Sequence, residues 1–301
     1  MTKKFAQIAI VGAPNAGKST LTNALLGQKI SIVSPKVQTT RNVIRAILVE
    51  GNSQLVLLDT PGVFIPRSDK ILERIIVKSA WQGIRDAHFV CFLIDAQIGL
   101  DAENLRIINE LKKNNFTPAI IINKIDLVKK NKLLEMTQSL INQGLSEIFM
   151  ISALNGDGLS AIKKFLFEKC VIGIWQYDKD DITDAPMRAI ASEITREKLF
   201  LYLHEELPYS INVKTDSYEV APNGNIKINQ TIFVVKESQK AIILGKNGSL
   251  IKQIGSESRK EIGEIADARV ALYLFVKVKK DWMNHIESYE IVDIEKLPKK
   301  K

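Results

Sequence analysis

The sequence predicts an open, doubly wound α/β domain followed by a smaller α+β unit, and three observations support this fold class. From residue 5 to about residue 170, short β-branched apolar runs alternate with longer amphipathic segments. A glycine-rich turn that contains a lysine directly follows the first apolar run. Beyond residue 186 this alternation stops, and helical and strand-like segments follow in a different order. Strands that alternate with helices indicate a mainly parallel sheet with both faces covered.

Five apolar runs in the first part of the chain are predicted strands. They lie at 5–11, 54–58, 88–94, 118–122 and 147–151. Between them, apolar residues recur at i, i+3 and i+4, which is typical of helices that cover a sheet. The clearest examples are Ile71, Leu72, Ile75, Ile76 and Ala80, and then Leu105, Ile108 and Leu111.

A change of pattern separates the second part of the chain from the first. Residues 173–186 have no periodicity, are rich in acidic residues and end at Pro186, which predicts a linker. After it we predict a helix over 188–205, strands near 209–220 and 226–236, helices within 238–263 and a strand over 269–279. The predicted organisation is a first domain over 1–172, a linker over 173–186, a second domain over 187–285 and a C-terminal tail over 286–301.

The composition excludes several other classes of protein. Of the 301 residues, 46% are hydrophobic and 25% are charged, which are values of a globular protein rather than a disordered or collagen-like one. No apolar run is long enough for a membrane helix, and the N-terminus has no small-residue cleavage site, so we expect a cytoplasmic protein. Cys91 and Cys170 are too few for a tetrahedral zinc site and lie among apolar residues, so we expect both to be buried.

Residues 12–19 are predicted to form a phosphate-binding loop, since they fit G-x-x-x-x-G-K-[ST] between a strand and a helix. The glycines let backbone N–H groups turn toward phosphate oxygens, and the helix N-terminus adds partial positive charge. Lys18 would reach the β- and γ-phosphates, and the Ser19 hydroxyl would bind Mg²⁺. The residues expected to contact the nucleotide here are Gly12, Ala13, Pro14, Asn15, Ala16, Gly17, Lys18, Ser19 and Thr20.

Two further segments carry residues that a nucleotide switch needs. Asp59 would hold Mg²⁺ through a water, and the Gly62 N–H would meet the γ-phosphate. In the polar loop over residues 38–41, the Thr40 hydroxyl and carbonyl would reach Mg²⁺ and the γ-phosphate, although a loop threonine usually only caps nearby backbone. We therefore assign Lys18 to charge stabilisation, and Thr40 and Gly62 to sensing the γ-phosphate. The second segment comprises Asp59, Thr60, Pro61, Gly62 and, directly after them, Val63.

Two later strand ends are predicted to bind the base. Asp126 would accept two hydrogen bonds from the N1–H and the exocyclic amine of guanine, donors that adenine does not present on that edge. The backbone at Ser152 and Ala153 would supply an N–H to the guanine O6. Because these residues follow the phosphate loop in the required order, they predict a GTP site rather than an ATP site. The first of the two segments comprises Asn123, Lys124, Ile125 and Asp126.

The order of these elements, with the Asp-Thr-Pro-Gly segment and the Thr-Thr-Arg triplet, resembles the Era-type branch of bacterial GTPases. The resemblance implies a P-loop GTPase domain that hydrolyses GTP and binds GTP or GDP with Mg²⁺. Ras-like enzymes carry a glutamine after D-x-x-G, whereas Val63 stands here and cannot orient a water, so we expect slow intrinsic hydrolysis. Resemblance to potassium-dependent GTPases implies a K⁺ ion near Asn15; alternatively, Asn15 only satisfies loop backbone.

The second part of the chain contains a G-x-x-G turn between two predicted helices, followed by a strand. Such a turn is either a helix C-cap or the phosphate-binding turn of KH domains, which clamp about four nucleotides of single-stranded RNA. Residues 236–280 carry ten Lys+Arg against five Asp+Glu, an excess that favours RNA. The residues expected to bind RNA are Gly245, Lys246, Asn247, Gly248, Lys252, Arg259, Lys277 and Lys279.

Several segments around this turn resemble the type II KH domain of the Era-type GTPases. They are Ser192–Ile194, Arg196–Leu199, Glu206–Ser210, and Val276–Lys279 with Trp282. The resemblance implies binding of 16S ribosomal RNA near its 3′ end and a role in assembling the 30S subunit. We also expect a monomer. The resemblance implies peripheral association at the inner face of the cell membrane, which stays open because nothing in the sequence encodes an anchor. Two alternatives stay open: a switch acting on protein or membrane partners in cell-cycle control, with a protein-binding second domain, and an RNA chaperone that uses GTP only as a ligand.

Overall fold

The computed structural model describes residues 2–34, 36, 41, 43–63, 71–205, 207–280 and 282. The chain divides into two compact units, Met1–Asp184 and Ala185–Lys301, which are described separately. The predicted switch residues Gln38, Thr39 and Thr40 lie outside the described residues, as does the predicted tail over 286–301. Among the described residues, no helix is both long enough and apolar enough to cross a bilayer.

The first unit consists of one sheet with helices on both faces. Its strands are β1 (Lys4–Gly12), β2 (Ile44–Glu50), β3 (Ser53–Asp59), β4 (Phe89–Asp95), β5 (Ala119–Asn123), β6 (Ile148–Met150) and β7 (Val171–Ile172). Its helices are α1 (Lys18–Leu26), α2 (Ile71–Asp86), α3 (Ala102–Lys113), α4 (Lys130–Asn142) and α5 (Leu159–Glu168), with a short 3-10 helix at Ile125–Leu127.

The strand order β2-β3-β1-β4-β5-β6 confirms the predicted doubly wound, mainly parallel sheet. Strand β2 is antiparallel to β3, and β7 is antiparallel to the first residues of β1. The sequence-based prediction omits both antiparallel strands, because β2 at the sheet edge carries Arg45 and Glu50 and β7 has only two residues. In the parallel ladder, Ile10 pairs with Asp59 and Gly12 pairs with Leu93, so the carboxyl ends of β1, β3 and β4 meet at one edge.

Two apolar cores lie on opposite faces of this sheet. Strand β1 contributes Ala9 and Val11 to the core beneath α2, α3 and α4, and Ile8 and Ile10 to the core beneath α1 and α5. Because both faces are buried, the strands are continuous apolar runs without polar alternation. Cys91 and Cys170 are both buried on the α1 and α5 side, as predicted.

Residues 173–184 of the predicted linker are hydrogen-bonded to the edge of the first unit. The buried Gln54 side chain accepts hydrogen bonds from the N–H groups of Gln176 (2.9 Å) and Tyr177 (3.2 Å) and donates one to the Tyr177 carbonyl (2.9 Å). The Ile47 N–H donates to the Ile182 carbonyl at 2.9 Å. The segment has no apolar periodicity because these contacts are made mainly through its backbone. The division between the two units falls after Asp184, inside the predicted linker.

The second unit has helices on one face of a three-stranded sheet, which confirms the predicted α+β unit. Its elements are α6 (Met187–Tyr202), β8 (Asn212–Val220), β9 (Ile226–Val234), α7 (Glu237–Leu244), α8 (Ser249–Ala266) and β10 (Val270–Val278), with 3-10 helices at Leu207–Ser210 and Lys246–Gly248. The strand order is β10-β9-β8, with β9 parallel to β10 and antiparallel to β8. Strand β8 begins three residues later than predicted, because Leu207–Ser210 forms a 3-10 helix.

Candidate functional site

Two glycines shape the loop between β1 and α1. Gly17 has a φ of 97°, and a Cβ atom there would lie 2.2 Å from Asn123 Nδ2. A Cβ atom on Gly12 would lie 2.4 Å from the Leu93 carbonyl oxygen. Gly17 is also the N-cap of α1 and brings no side chain of its own to the first-turn N–H groups. These N–H groups and the helix dipole make this helix start suitable for binding an anion.

Lys18 lies buried beneath this loop. Its Nζ donates hydrogen bonds to the carbonyl oxygens of Gly12 (3.1 Å) and Ala13 (2.9 Å). Burial lowers the pKa of Lys18 to about 8, and the negative charge of Asp59 offsets this only in part. A buried and incompletely compensated ammonium group is well suited to pair with phosphate oxygens.

Asp59 ends β3 and is fully buried. Within the described part of the chain, neither of its carboxylate oxygens makes a hydrogen bond of good geometry. Burial raises the pKa of Asp59, and the nearby Ser19 and Ser31 hydroxyls and the Lys18 charge lower it only in part. A buried carboxylate near a serine hydroxyl provides the hard oxygen donors that Mg²⁺ prefers, so these residues fit a magnesium ion. The third predicted ligand, Thr40, lies outside the described residues.

At the other end of the site, Asn123 connects two loops. Its Nδ2 donates to the Ala16 carbonyl, and its Oδ1 accepts from the Ala153 N–H, both at 2.9 Å. The adjacent Lys124 has a φ of 63°, and its ammonium group forms an ion pair with Asp95 at 2.6 Å. These contacts hold the predicted base-binding segments against the phosphate loop.

A cleft of about 600 Å³ runs between these two ends along the carboxyl edge of the sheet. The predicted nucleotide contacts that line it are Pro14, Asn15, Gly17, Lys18, Ser19, Thr20, Gly62, Asn123, Lys124, Asp126, Ser152 and Ala153. The predicted contacts that do not line it are Gly12, Ala13, Ala16, Asp59, Thr60, Pro61, Val63 and Ile125. Some residues of this second group stabilise the loops without facing the cleft. Thr60, for example, donates a hydrogen bond from its hydroxyl to the Ile10 carbonyl at 2.7 Å. The role of each residue in binding stays a prediction.

The cleft also contains residues that the sequence analysis did not select. They are Ile32, Val33, Ser34, Asp95, Gln97, Ile98, Leu127 and Leu154. Asp95 could have been found, because it ends β4 at the same edge as Asp59. Ile98, Leu127 and Leu154 are exposed apolar side chains that no pattern in the sequence marks.

Val63 takes no part in lining the cleft. It is 1% exposed, and its side chain packs in the core beneath α2, α3 and α4. Its backbone N–H donates to the Gly12 carbonyl at 3.2 Å. This position therefore fixes the phosphate loop through its backbone and presents no polar group to a water.

In the second unit, Gly245–Gly248 joins α7 to α8 in a tight turn. Gly245 and Gly248 have φ values of 69° and 73°, and a Cβ atom on Gly245 would lie 2.8 Å from Leu250 Cβ. Lys246 and Asn247 are exposed at the tip of the turn. Gly248 is the N-cap of α8, so this helix also starts without a side-chain cap. A compact turn before a helix N-terminus allows close approach of a phosphate backbone.

The basic residues predicted to bind RNA lie on two different faces of this unit. Lys252 and Arg259 are exposed on α8, which begins at the G-x-x-G turn. Lys277 is exposed on β10 at a position that alternates with Leu274, Val276 and Val278, which pack toward the helices. Lys252 and Arg259 therefore lie on the helix that follows the G-x-x-G turn, whereas Lys277 lies on the sheet face that is directed away from the helices.

Comparison with known proteins finds relatives that span almost the whole chain. Two sequence families match, described as "50S ribosome-binding GTPase" over residues 7–124 and "KH domain" over residues 206–283. GTPase Era of Bradyrhizobium sp. (strain ORS 278) is 48% identical over 290 residues, which cover 96% of this chain and 94% of that protein. GTPase Era of Brucella suis biovar 1 is 46% identical over 284 residues, or 94% of this chain and 90% of that protein.

Two solved structures are similar over both units. One is Era in complex with MgGDPNP and nucleotides 1506–1542 of 16S ribosomal RNA, with a TM-score of 0.91 at 36% identity, covering 95% of this chain and 97% of that one. The other is an Aquifex aeolicus Era variant bound to GDP and AlF4⁻, with a TM-score of 0.90, 36% identity and the same coverage. Both similarities extend across the nucleotide cleft and the unit that carries the G-x-x-G turn.

Proposed function

Because the chain belongs to the Era family of GTPases, we propose that it is a GTP-hydrolysing switch that binds small-subunit ribosomal RNA near its 3′ end and assists assembly of the 30S subunit. The observation that carries the proposal is the pairing, in one chain, of a guanine-nucleotide cleft with a KH domain. The Era structure with 16S ribosomal RNA supports the choice of RNA, since it matches this chain over 95% of its length.

The family description that names the 50S particle carries less weight for the choice of partner. It covers residues 7–124, which lie in the GTPase part, whereas the KH domain matches over 206–283. In KH domains the RNA is clamped at the G-x-x-G turn. The partner is therefore better inferred from relatives that include this turn.

GTP hydrolysis in this site depends on positioning and charge neutralisation. Lys18 and the loop N–H groups would stabilise negative charge on the phosphates. Mg²⁺, when bound, supplies further neutralisation, and Ser19 and Asp59 would hold it, Asp59 through a water. A Cβ atom on Gly62 would lie 3.0 Å from the backbone N of Pro14, so a larger residue at this position would crowd the phosphate loop. Because Val63 cannot orient a water, we expect a slow intrinsic rate.

A potassium ion beside Asn15 would add positive charge near the β- and γ-phosphates. Asn15 lines the cleft and has a φ of 62°, a conformation that asparagine tolerates better than most residues. We expect faster GTP hydrolysis in KCl than in NaCl at equal ionic strength, measured as phosphate release. An Asn15→Ala variant should lose the difference between the salts. Equal wild-type rates in both salts would remove the potassium site.

The proposed RNA target is tested by cross-linking the protein to RNA in cells and sequencing the bound RNA. A second experiment cross-links in lysate, with and without a non-hydrolysable GTP analogue. We expect reads concentrated at the 3′ end of 16S ribosomal RNA. Reads concentrated in 23S ribosomal RNA, or spread evenly over both RNAs, would contradict the proposed target. If no RNA is cross-linked to the protein, the result favours the rival function, in which the second domain binds protein or membrane partners.

The proposal also includes a monomeric, cytoplasmic protein with peripheral association at the inner face of the membrane. Sedimentation of the purified protein tests the first property. Fractionation of cells at low and high salt tests the association, since a peripheral electrostatic contact weakens as salt rises.

A further inference from the structure

The second unit has an aromatic and basic surface on the sheet face opposite its helices. On β10, Leu272, Leu274 and Val276 pack toward the helices, whereas the alternate residues are exposed. Tyr273 is 50% exposed and Phe275 is 57% exposed. We call this surface the outer sheet face, and it consists of Ala271, Tyr273, Phe275 and Lys277 of β10 with Lys227, Asn229, Thr231 and Phe233 of β9.

The neighbouring strand leaves the two exposed rings accessible. Tyr273 lies opposite Asn229, and Phe275 lies opposite Thr231. Asn229 Nδ2 donates to Ser217 Oγ at 2.7 Å, and Thr231 Oγ1 donates to Asp216 Oδ2 at 2.6 Å. Both polar side chains are thus directed toward β8, away from the rings on β10.

The charge around the rings favours a polyanion. Lys227 lies opposite Ala271, and Lys277 follows Phe275 on the same face. Lys279 Nζ lies 5.9 Å from the centre of the Phe233 ring. Among the outward residues of β9 and β10 none is acidic. On β8, however, Glu219 lies opposite Lys227, and Asp216 accepts the hydrogen bond from Thr231, so the excess of positive charge lies toward Lys277 and Lys279.

We propose that the outer sheet face binds single-stranded RNA, with bases stacked on Tyr273 and Phe275 and phosphates neutralised by Lys277. Residues two apart on a strand lie about 7 Å from each other, so each ring can take one of two adjacent splayed bases. Exposed aromatic side chains interleaved with lysines are the means by which single strands are bound without strict sequence preference. The surface extends the RNA contact of the proposed function, on which this inference rests, and gives a role to Lys277, which lies apart from the G-x-x-G turn.

The test uses the full-length protein with Mg²⁺ and a non-hydrolysable GTP analogue, and two single-stranded RNAs from the 3′ end of 16S ribosomal RNA. One RNA has about 6 nucleotides, close to the four that a KH domain clamps, and the other has about 20 nucleotides. The variant Tyr273→Thr/Phe275→Thr removes both rings and keeps residues that favour strands. Circular dichroism establishes that it folds. Lys260→Ala is the control for Lys277→Ala, since Lys260 is exposed on α8 away from this face.

We expect the double variant to bind the long RNA at least about tenfold more weakly than wild type, and the short RNA with unchanged affinity. Lys277→Ala should weaken binding of the long RNA more than Lys260→Ala does. Ultraviolet cross-linking should attach the long RNA to the peptide that contains Tyr273 and Phe275.

Equal affinity of wild type and double variant for the long RNA, with no cross-link in β10, would overturn this inference while leaving the G-x-x-G clamp intact. A double variant that binds both RNAs normally but no longer binds the 30S subunit would assign the face to a ribosomal protein and would also overturn it. Failure of the wild type to bind either RNA would contradict the proposed function itself.

Discussion

At the scale of single residues, the nucleotide site depends on a buried pair of opposite charges. Lys18 and Asp59 are both buried, and burial lowers the pKa of Lys18 and raises the pKa of Asp59, so it favours the neutral form of each side chain. The sequence motifs identify both residues, because a phosphate-binding loop needs a lysine at this position and the following strand end needs an acidic residue. The motifs do not predict that both side chains are buried in the folded domain. The position of Asp95 at a strand end marks it as a candidate, but its pairing with Lys124 joins residues 29 positions apart and required the fold.

Replacing Lys18 should strongly weaken nucleotide binding without unfolding the protein. Lys18→Ala deletes a charged donor to the phosphates, and a hydrogen bond to a charged group contributes about 1.5–3 kcal/mol, so GTP affinity should fall roughly 100-fold. The fold should persist, because the lost side chain is a poorly compensated buried cation. Titration with a fluorescent GTP analogue checks affinity, with Lys164→Ala on α5 as the control. A folded variant with near wild-type affinity would refute the assignment.

Nucleotide binding should take up protons at mildly alkaline pH. Above pH 8 the Lys18 side chain of the nucleotide-free protein is mostly neutral, because burial lowers its pKa to about 8. Phosphate charge nearby raises that pKa, so Lys18 gains a proton on binding, and affinity should decrease as pH rises from 8 to 10. Calorimetry of GDP binding at pH 8.5 in buffers of different ionisation heat measures the uptake. The variant Lys18→Arg stays charged at this pH and should take up no proton on binding. If the wild type takes up no proton, or releases one, the proposed role of the Lys18 pKa is wrong.

At the scale of elements, the predicted linker makes contacts that its sequence does not reveal. Its acidic, aperiodic sequence predicts a connection between domains, and residues up to Asp184 bond to β2 and β3. The contact cannot be predicted from the segment alone, because it depends on backbone groups and on one buried side chain, Gln54. Strand β2 starts at Ile44, shortly after the predicted switch loop, so this attachment joins the switch side of the sheet to the segment before the second unit.

Removing the Gln54 amide should release this segment. Gln54→Leu leaves the Gln176 and Tyr177 N–H groups and the Tyr177 carbonyl without their partner. Because the segment is half-exposed, water replaces part of the loss, and we expect a cost of about 1–3 kcal/mol. Trypsin should cleave faster after the exposed Lys179. The control is Gln138→Leu on α4, which loses only a solvent-exposed hydrogen bond to Asn142. Equal cleavage rates of the two variants would show that Gln54 does not fix the segment to the sheet.

At the scale of the whole molecule, the net charge points to the wrong half of the chain for the proposed RNA site. The formal charge of +8 resides in residues 1–172, with 22 Lys+Arg against 14 Asp+Glu, whereas residues 173–301 carry 20 of each. The signal for RNA is local, since residues 236–280 have ten basic against five acidic side chains. The structure refines this further, because it divides these basic residues between the helices and the outer sheet face.

Most of the architecture was predictable because its parts have strong local signals. The parallel strands are continuous apolar runs, and each nucleotide-binding segment sits at a strand end. The edge strand β2 was not predicted because charged residues interrupt its apolar pattern. Two other features could not be predicted because they depend on contacts distant in sequence: the attached linker, and the apolar rim at Ile98, Leu127 and Leu154. In the second unit, the order and type of the helices and strands were predictable from the sequence. The sheet face on which Lys277 lies could be identified only from the structure.

The measurement that tests the central claim most directly is binding of the 3′-terminal 16S ribosomal RNA fragment to the protein with Mg²⁺ and a GTP analogue, comparing Gly248→Asp with Gly248→Asn. Both side chains have room, since among the described residues a Cβ atom on Gly248 would meet only Ile251, at 4.0 Å. Asparagine and aspartate also adopt its positive φ more readily than most residues do. Only aspartate places negative charge beside the RNA backbone. We predict saturable, salt-dependent wild-type binding, reduced at least about tenfold more by aspartate than by asparagine. No wild-type binding at low salt, or equal binding by the two variants, would contradict the claim.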